Sequence, residues 1–243
     1  MTFPKESEGI ELVEKGSPAQ WIEERLWPWG ANVDPSGVRV GSLLPEGFAH
    51  YCRVLHPASL NPRHEPVRWS TVASWIGRTV HPLMQFCRIA NISERHESPP
   101  WGSLPSMGSL PREECLVLTD LLQGFTTTPG ECYFAIWDGY GNLEPHLYRN
   151  VPRVRTPGRD YLLFRGPLET VMSFIDTPGW MQSPNIWWPA DRAWCMATEV
   201  DLFDTYIGGS EACIEAILKR ADLESFPTTL DARVDLDGDT INI

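Results

Sequence analysis

The stretch Asn185-Ile-Trp-Trp-Pro-Ala-Asp-Arg-Ala-Trp-Cys-Met-Ala-Thr-Glu-Val-Asp201 (NIWWPADRAWCMATEVD) decides what kind of fold this chain adopts. From Trp194 onward its residues alternate. Trp194, Met196, Thr198 and Val200 face one way, and Cys195, Ala197 and Glu199 the other, which is the period of a β-strand. Trp194 is then a core residue. The first half reads differently, because Trp187 and Trp188 are neighbours and in extended chain point to opposite faces. Pro189 lacks an N–H and belongs at a sheet edge or strand start. One indole is therefore expected near solvent or beneath a loop, with Trp101 of the 98–111 segment as a candidate cover. Asp191 and Arg192 are suited to fix the turn or to pair with each other.

Around that strand the chain reads as α+β. Helical patterns are expected from Ser17-Pro18-Ala19-Gln20, over Leu44–Leu55, Ser70–Ile76, His81–Ala90 and Pro111–Leu122, and after Ser210. Strands are expected at Val38–Leu43, Cys132–Trp137, Tyr161–Phe164 and Trp194–Val200, with a hairpin at Asp237-Gly238. Helices in the N-terminal half and a mainly antiparallel sheet in the C-terminal half argue against a doubly wound α/β fold. Residues 1–16 read as a loose arm and 17–243 as one domain. The irregular, Pro/Ser/Gly-rich loop 98–111 crosses that domain.

The 243 residues carry a formal charge of −12, with 11 Trp and 22 Pro. An acidic chain is ill-suited to nucleic acid or anionic membrane, both of which demand clustered cations. No run of 18 apolar residues exists, the six cysteines form no C-x-x-C pair, and the N-terminus lacks a signal peptide's apolar core. A cytoplasmic protein with free thiols is the expectation. Phosphate-loop, nucleophile-elbow and zinc-helix motifs are absent, and neither cofactor nor metal is expected. Cys52 and His56 have an i, i+4 spacing that zinc can use, but no second pair accompanies them.

Two chemical readings compete. Glu199 and Asp201, about 7 Å apart on one strand face, could act as acid and base across a water, with Arg153 and Arg155 holding an anionic substrate. Alternatively the chain acts by binding. Trp187, Trp188, Asp191 and Arg192 would then anchor a partner protein, with Asp138 and Tyr140 of the turn DGYGN at 138–142 as further contacts.

The segments WWPADRAWCMATEVDLFDTYIGGS, FAIWDGYGNL and LLPEGFAHYCRVLHP resemble an uncharacterised family common in actinobacteria, over roughly residues 21–223. Leu44-Pro45 opening a helix, together with the α+β order, is also similar to the SUKH superfamily, many of whose members are immunity proteins against toxins. His56-Pro57-Ala58 stands where that superfamily usually has Asn-Gly-Gly. The resemblance implies a non-catalytic module that neutralises a partner protein, and an acidic surface suits a basic one. Oligomeric state is left open.

Overall fold

We describe residues 9–15, 18–29, 37–60, 65–92, 99–141, 143, 148–177, 180 and 182–243 of a computed structural model. The fold is α+β, built on one antiparallel nine-stranded sheet. Its strands are β1 (Glu11–Leu12), β2 (His50–Leu55), β5 (Cys132–Trp137), β6 (Val154–Arg155), β7 (Asp160–Gly166), β8 (Ile186–Pro189), β9 (Trp194–Ala197), β10 (Asp204–Gly209) and β11 (Ser225–Thr228). The spatial order is β1-β7-β5-β8-β9-β10-β2-β11, with β6 beside β7. A separate two-stranded sheet joins β3 (Ala58–Leu60) to β4 (Glu65–Val67).

Among the described residues six helices complete the fold: α1 (Gln20–Glu23), α2 (Trp69–Ile76), α3 (Phe86–Ile89), α4 (Arg112–Leu122), α5 (Val171–Asp176) and α6 (Glu211–Leu218). On one face of the sheet, α4, α5 and α6 pack Cys115, Leu118, Phe174, Ile214 and Ile217 against Phe134, Trp187, Trp194 and Met196. On the other, α1 and the segment around Val40–Leu44 cover Ala135, Trp188, Cys195 and Ala197. A third cluster gathers α2 and α3 around Trp69, Phe86 and Trp101.

This two-sided cover explains where sequence expectation and structure part. An antiparallel sheet commonly leaves one face wet, and the helix expected over Leu44–Leu55 assumed that Phe48, Tyr51, Cys52 and Leu55 mark a buried stripe. The second half of that segment is instead strand β2, next to the sheet's edge between β10 and β11. Cys52 and Val54 enter one core while Leu55 enters another, so burial on both sides erases the period-2 signal. Strands are accordingly spread through the chain rather than gathered late. The arm expected over 1–16 is tied down where it is described: Ile10 is buried, and Glu11 and Leu12 pair with Arg165 and Phe164. Val38–Leu43 holds a 3-10 turn at Val40–Ser42 rather than a strand, and Leu236–Gly238 is another 3-10 turn rather than a hairpin. Only Phe86–Ile89 of the expected helix 81–90 is helical. Ser17 lies outside the described residues.

Two helix starts illustrate different capping solutions. Ser210 caps α6 as expected, its Oγ accepting from Cys213 N at 3.3 Å. For α2 the cap comes from 154 residues away, where Glu224 accepts from Trp69 N at 2.6 Å and Ser70 N at 2.8 Å. Glu224→Ala removes both acceptors and is expected to cost about 1–2 kcal/mol. Urea unfolding should show a lower midpoint at unchanged slope. A midpoint equal to wild type would mean that water replaces the cap.

The 98–111 loop is fastened where described, from residue 99. Gly102 N donates to Ser59 O (2.8 Å), Gly108 N to Leu202 O (2.9 Å), Gln182 Nε2 to Gly108 O (2.6 Å) and Leu110 N to Ser183 Oγ (2.8 Å). It is a strap over one edge of the core. Trp101 packs edge-on against Trp75 and Phe86, not over the β8–β9 turn.

Candidate functional site

The tryptophan segment forms the β8–β9 hairpin, and both of its adjacent indoles are buried. Trp187 packs against Phe134 and Trp194 on the α4–α6 side, with centroids 6.2 and 5.6 Å away. Trp188 lies on the α1 side, stacked on Tyr133 at 5.6 Å and edge-on to Trp21 at 6.2 Å. Of the two expected outcomes, solvent or a covering segment, neither indole meets solvent: α4–α6 cover Trp187, and α1 with the segment around Val40–Leu44 covers Trp188. Trp187 and Trp188 are scaffold, not surface anchors.

The turn between them and Trp194 carries the exposed chemistry. Asp191 does not pair with Arg192. Its Oδ2 accepts from Thr127 N (2.6 Å) and Thr127 Oγ1 (2.8 Å), and its Oδ1 from Thr126 Oγ1 (2.9 Å) and Ala193 N (3.1 Å). Burial works to raise its pKa, but these bonds more than offset that and hold the carboxyl below its ordinary value. Asp191 thus fixes the turn. Arg192 follows with its N–H on Pro189 O at 2.9 Å and φ of 57°, the left-handed region that a non-glycine residue occupies at a cost. Its guanidinium lies 5.3 Å over the Trp21 ring. Among the described residues no acid pairs with it, whereas Arg53, Arg112, Arg153, Arg159, Arg165 and Arg220 each hold a carboxylate.

Strain at Arg192 can be separated from its stack. Arg192→Gly and Arg192→Ala both lose the contact with Trp21, but only glycine takes φ > 0 freely. The glycine variant is expected to be more stable than the alanine one by about 1 kcal/mol, read as a difference of about 2–4 °C in Tm. Equal Tm values would mean that the turn relaxes around alanine.

Asp138 and Tyr140 do not join this apex. Pro189 sits opposite Cys132 at one end of β5, while Asp138 follows the other end, roughly 20 Å along the strand. Asp138 accepts from Arg153 Nε at 3.0 Å. Tyr140 OH accepts from Asn185 Nδ2 at 2.9 Å, and burial pushes the phenol up to about 12. Nor do Arg153 and Arg155 converge on an anion site. Arg153 also donates to the carbonyls of Tyr148 and Val151, while Arg155 is exposed and its backbone N–H binds Glu23.

Glu199 and Asp201 do come together, on a residue that spacing could not indicate. Both lie beyond the end of β9, and both bind Arg159: Nε to Glu199 Oε1 at 2.7 Å, and Nη2 to Asp201 Oδ2 at 2.7 Å. The guanidinium is flanked by Trp137 (4.8 Å) and Trp29 (5.5 Å). Glycines make room for both rings, since a Cβ at Gly139 would stand 2.2 Å from Trp137 and one at Gly158 2.1 Å from Trp29. The Glu199 side chain is 5% exposed and that of Asp201 75%. Burial raises the pKa of Glu199, with Arg159 opposing it.

Glu199 also lines a partly open cleft on the α1 side, walled by Leu26, Trp29, Leu43, Tyr161 and Ile186. Its enclosed interior is small, with a volume of about 10 Å³. Thiol chemistry finds no support nearby: burial pushes Cys115, Cys132 and Cys213 up to about 12, and Cys52, Cys87 and Cys195 also upward, away from thiolate. Cys52 lies within β2 and His56 beyond its end, so no helix face joins them. Among the described residues no group of three His, Cys, Asp or Glu side chains could hold a metal, and no helix is long and apolar enough to cross a membrane. No protein-family model, curated protein or solved structure matches the chain.

Proposed function

We propose that the chain is a non-catalytic protein-binding module, acting in the cytoplasm and docking through the α1 side of the sheet. The observation that carries this reading is Arg192: an exposed arginine held in a strained backbone conformation, laid on an indole and left without an acid partner among the described residues. Strain of this kind costs of order 1–3 kcal/mol and persists where it serves a purpose, and stacked arginines are favoured at the centres of protein interfaces. The surplus of 12 negative charges favours a basic partner and fast encounter with it. Neutralisation of such a partner, in the manner of the immunity proteins that the sequence resembles, belongs to the same proposal.

The hydrolase reading is the weaker one. A single arginine already binds both carboxylates, and the cleft beside them is lined by Glu199 but not by Asp201, so the pair does not face each other across a substrate site. The experiment is co-purification from the source cells with wild type and Arg192→Glu, each checked for unchanged unfolding. A stoichiometric partner lost on charge reversal supports the module. A partner retained by the folded variant removes Arg192 from the interface and the reading with it.

A further inference from the structure

The cleft beside Glu199 has a chemistry that the Arg192 apex does not use. Its walls are mainly aromatic and aliphatic, Asn185 and Thr198 add polar groups already bonded to one another and to Tyr140 and Thr205, and its carboxylate is the buried Glu199. Arg159 takes Oε1 of that carboxylate, and the Val200 N–H lies close to the group as well. Two carboxylates, Glu199 and Asp201, face one guanidinium, which leaves a surplus negative charge at the mouth. Ser42 and Thr156 also line the cleft, and their hydroxyl protons are already given to Pro28 O (3.0 Å) and Arg159 O (3.0 Å). Ser42 Oγ therefore turns lone pairs, not a proton, to an occupant, whereas Thr156 Oγ1 is also engaged by the Tyr161 hydroxyl. A site that offers acceptors, negative charge and an apolar collar selects a cation with a greasy stem.

Size narrows the choice. The enclosed space is small, which favours the compact ammonium head over the broader, planar guanidinium and leaves the stem to lie along the apolar walls. We infer that this cleft receives a primary alkylammonium: the side chain of a lysine on the partner protein, its Nζ against Glu199 and its methylenes along Leu26, Trp29 and Leu43. The lysine source rests on the binding-module reading, whereas the amine preference does not.

The test uses the full chain and small probes, followed through the indole N–H signal of Trp29 and the methyl signals of Leu43 and Ile186 in NMR titrations. Butylamine and Nα-acetyl-lysine N-methylamide are expected to shift these signals saturably, with butanol at least about tenfold weaker, since a charge-assisted hydrogen bond is worth that much, and butylguanidine weaker because its head is broader. Glu199→Gln should remove the amine's advantage, and the exposed Asp201→Asn should reduce it only about two- to threefold. Should Glu199→Gln not fold, the comparison of amine with alcohol on wild type decides alone. Butanol binding as well as butylamine would reduce the cleft to an apolar crevice and overturn the inference. So would the absence of any saturable shift, or equal binding of butylguanidine. Binding of butylamine with exclusion of the lysine amide would overturn the lysine assignment in favour of a free amine. Arg192→Glu should leave every titration unchanged, so failure of the docking reading and failure of the amine site are told apart.

Discussion

Arg53→Met is expected to cost about 3–5 kcal/mol, the range for breaking a buried ion pair by removing one partner. Arg53 and Asp204 are both almost wholly buried, on the neighbouring strands β2 and β10. Arg53 Nε donates to Asp204 Oδ2 at 2.7 Å, and Nη2 lies against the same oxygen. Nη1 donates to the carbonyls of Pro82 (3.0 Å) and Met84 (2.9 Å), and the guanidinium sits 5.3 Å over Trp69. Burial alone would lower the pKa of Arg53, but Asp204 more than restores it. Methionine matches the stem in volume but leaves a buried carboxylate, already with one oxygen unpartnered among the described residues, with only the Tyr206 hydroxyl at 3.5 Å to satisfy it. It also strips a donor from two carbonyls. The double variant Arg53→Met/Asp204→Leu removes both charges and should recover most of the loss. Urea unfolding of the four-member cycle gives the coupling. A single-variant loss below about 1 kcal/mol would mean that water reaches Asp204.

Because Arg53 reaches both the sheet and the 82–84 segment, its loss should also loosen the α2–α3 cluster. Hydrogen exchange should therefore rise first at Phe86–Ile89 and not in β5. That contrast follows from how the two regions are built. The strand β5 sits between β7 and β8 in the middle of the sheet, while α3 is four residues long and anchored by side chains from elsewhere.

The same distinction separates what was legible in the sequence from what was not. Cys132–Trp137 is an unbroken apolar run, and a strand with both faces buried needs nothing more to be recognised. Arg112–Leu122, with Glu113 and Glu114 in its first turn, and Glu211–Leu218 behind Ser210 carry their start signals within a few residues. His50–Leu55 carries the same kind of two-faced burial without the run, because Arg53 interrupts it. Helical spacing then fits by coincidence. The cap of α2 by Glu224 and the seat of β1 on β7 are partnerships across more than a hundred residues, and no local period announces them.

The candidate sites divide in the same way. That Asp191 fixes its turn is legible from its neighbours, but of its four hydrogen bonds only that from Ala193 lies within the turn, and the three from Thr126 and Thr127 tie the turn to a segment more than 60 residues earlier. The pairing of Glu199 with Asp201 was legible as proximity along the chain. What they do depends on Arg159, 40 residues earlier, and on two tryptophans seated against glycines. Reading the pair alone suggested free acids. The arginine turns them into a neutralised cluster with one charge to spare. The tryptophans at 187 and 188 misled for a physical reason: adjacency implies opposite faces, but it does not say that either face is wet.

His56 is expected to make the protein acid-labile across a window set by its own ring. The side chain is buried just beyond β2, with Nδ1 2.7 Å from Ser106 O and Nε2 2.8 Å from Thr205 Oγ1. A carbonyl can only accept, so Nδ1 carries the proton and Nε2 is the acceptor for the Thr205 hydroxyl, which itself lies 2.7 Å from Thr198 Oγ1. Burial disfavours the imidazolium and pulls the pKa down to about 4, with the Ser106 carbonyl and Asp204 opposing and Arg53 assisting. The unfolded chain takes up its proton near pH 6.5, so stability falls as pH drops from about 6.5 and the loss is complete near the folded value. Integrated over that window the loss is about 3 kcal/mol. Asp191 and Asp239, held low in the folded state, act only below the ordinary carboxylate range. Glu199 and Glu114, raised by burial, gain protons before the unfolded chain does and work against the slope at its lower end. His56→Gln can still donate to Ser106 O and accept from Thr205, yet cannot titrate. Its midpoint in urea should be nearly flat between pH 6.5 and 5, where the wild type declines steeply. Parallel curves for the two proteins would assign the acid lability elsewhere and mean that water reaches the ring behind the strap at Ser106.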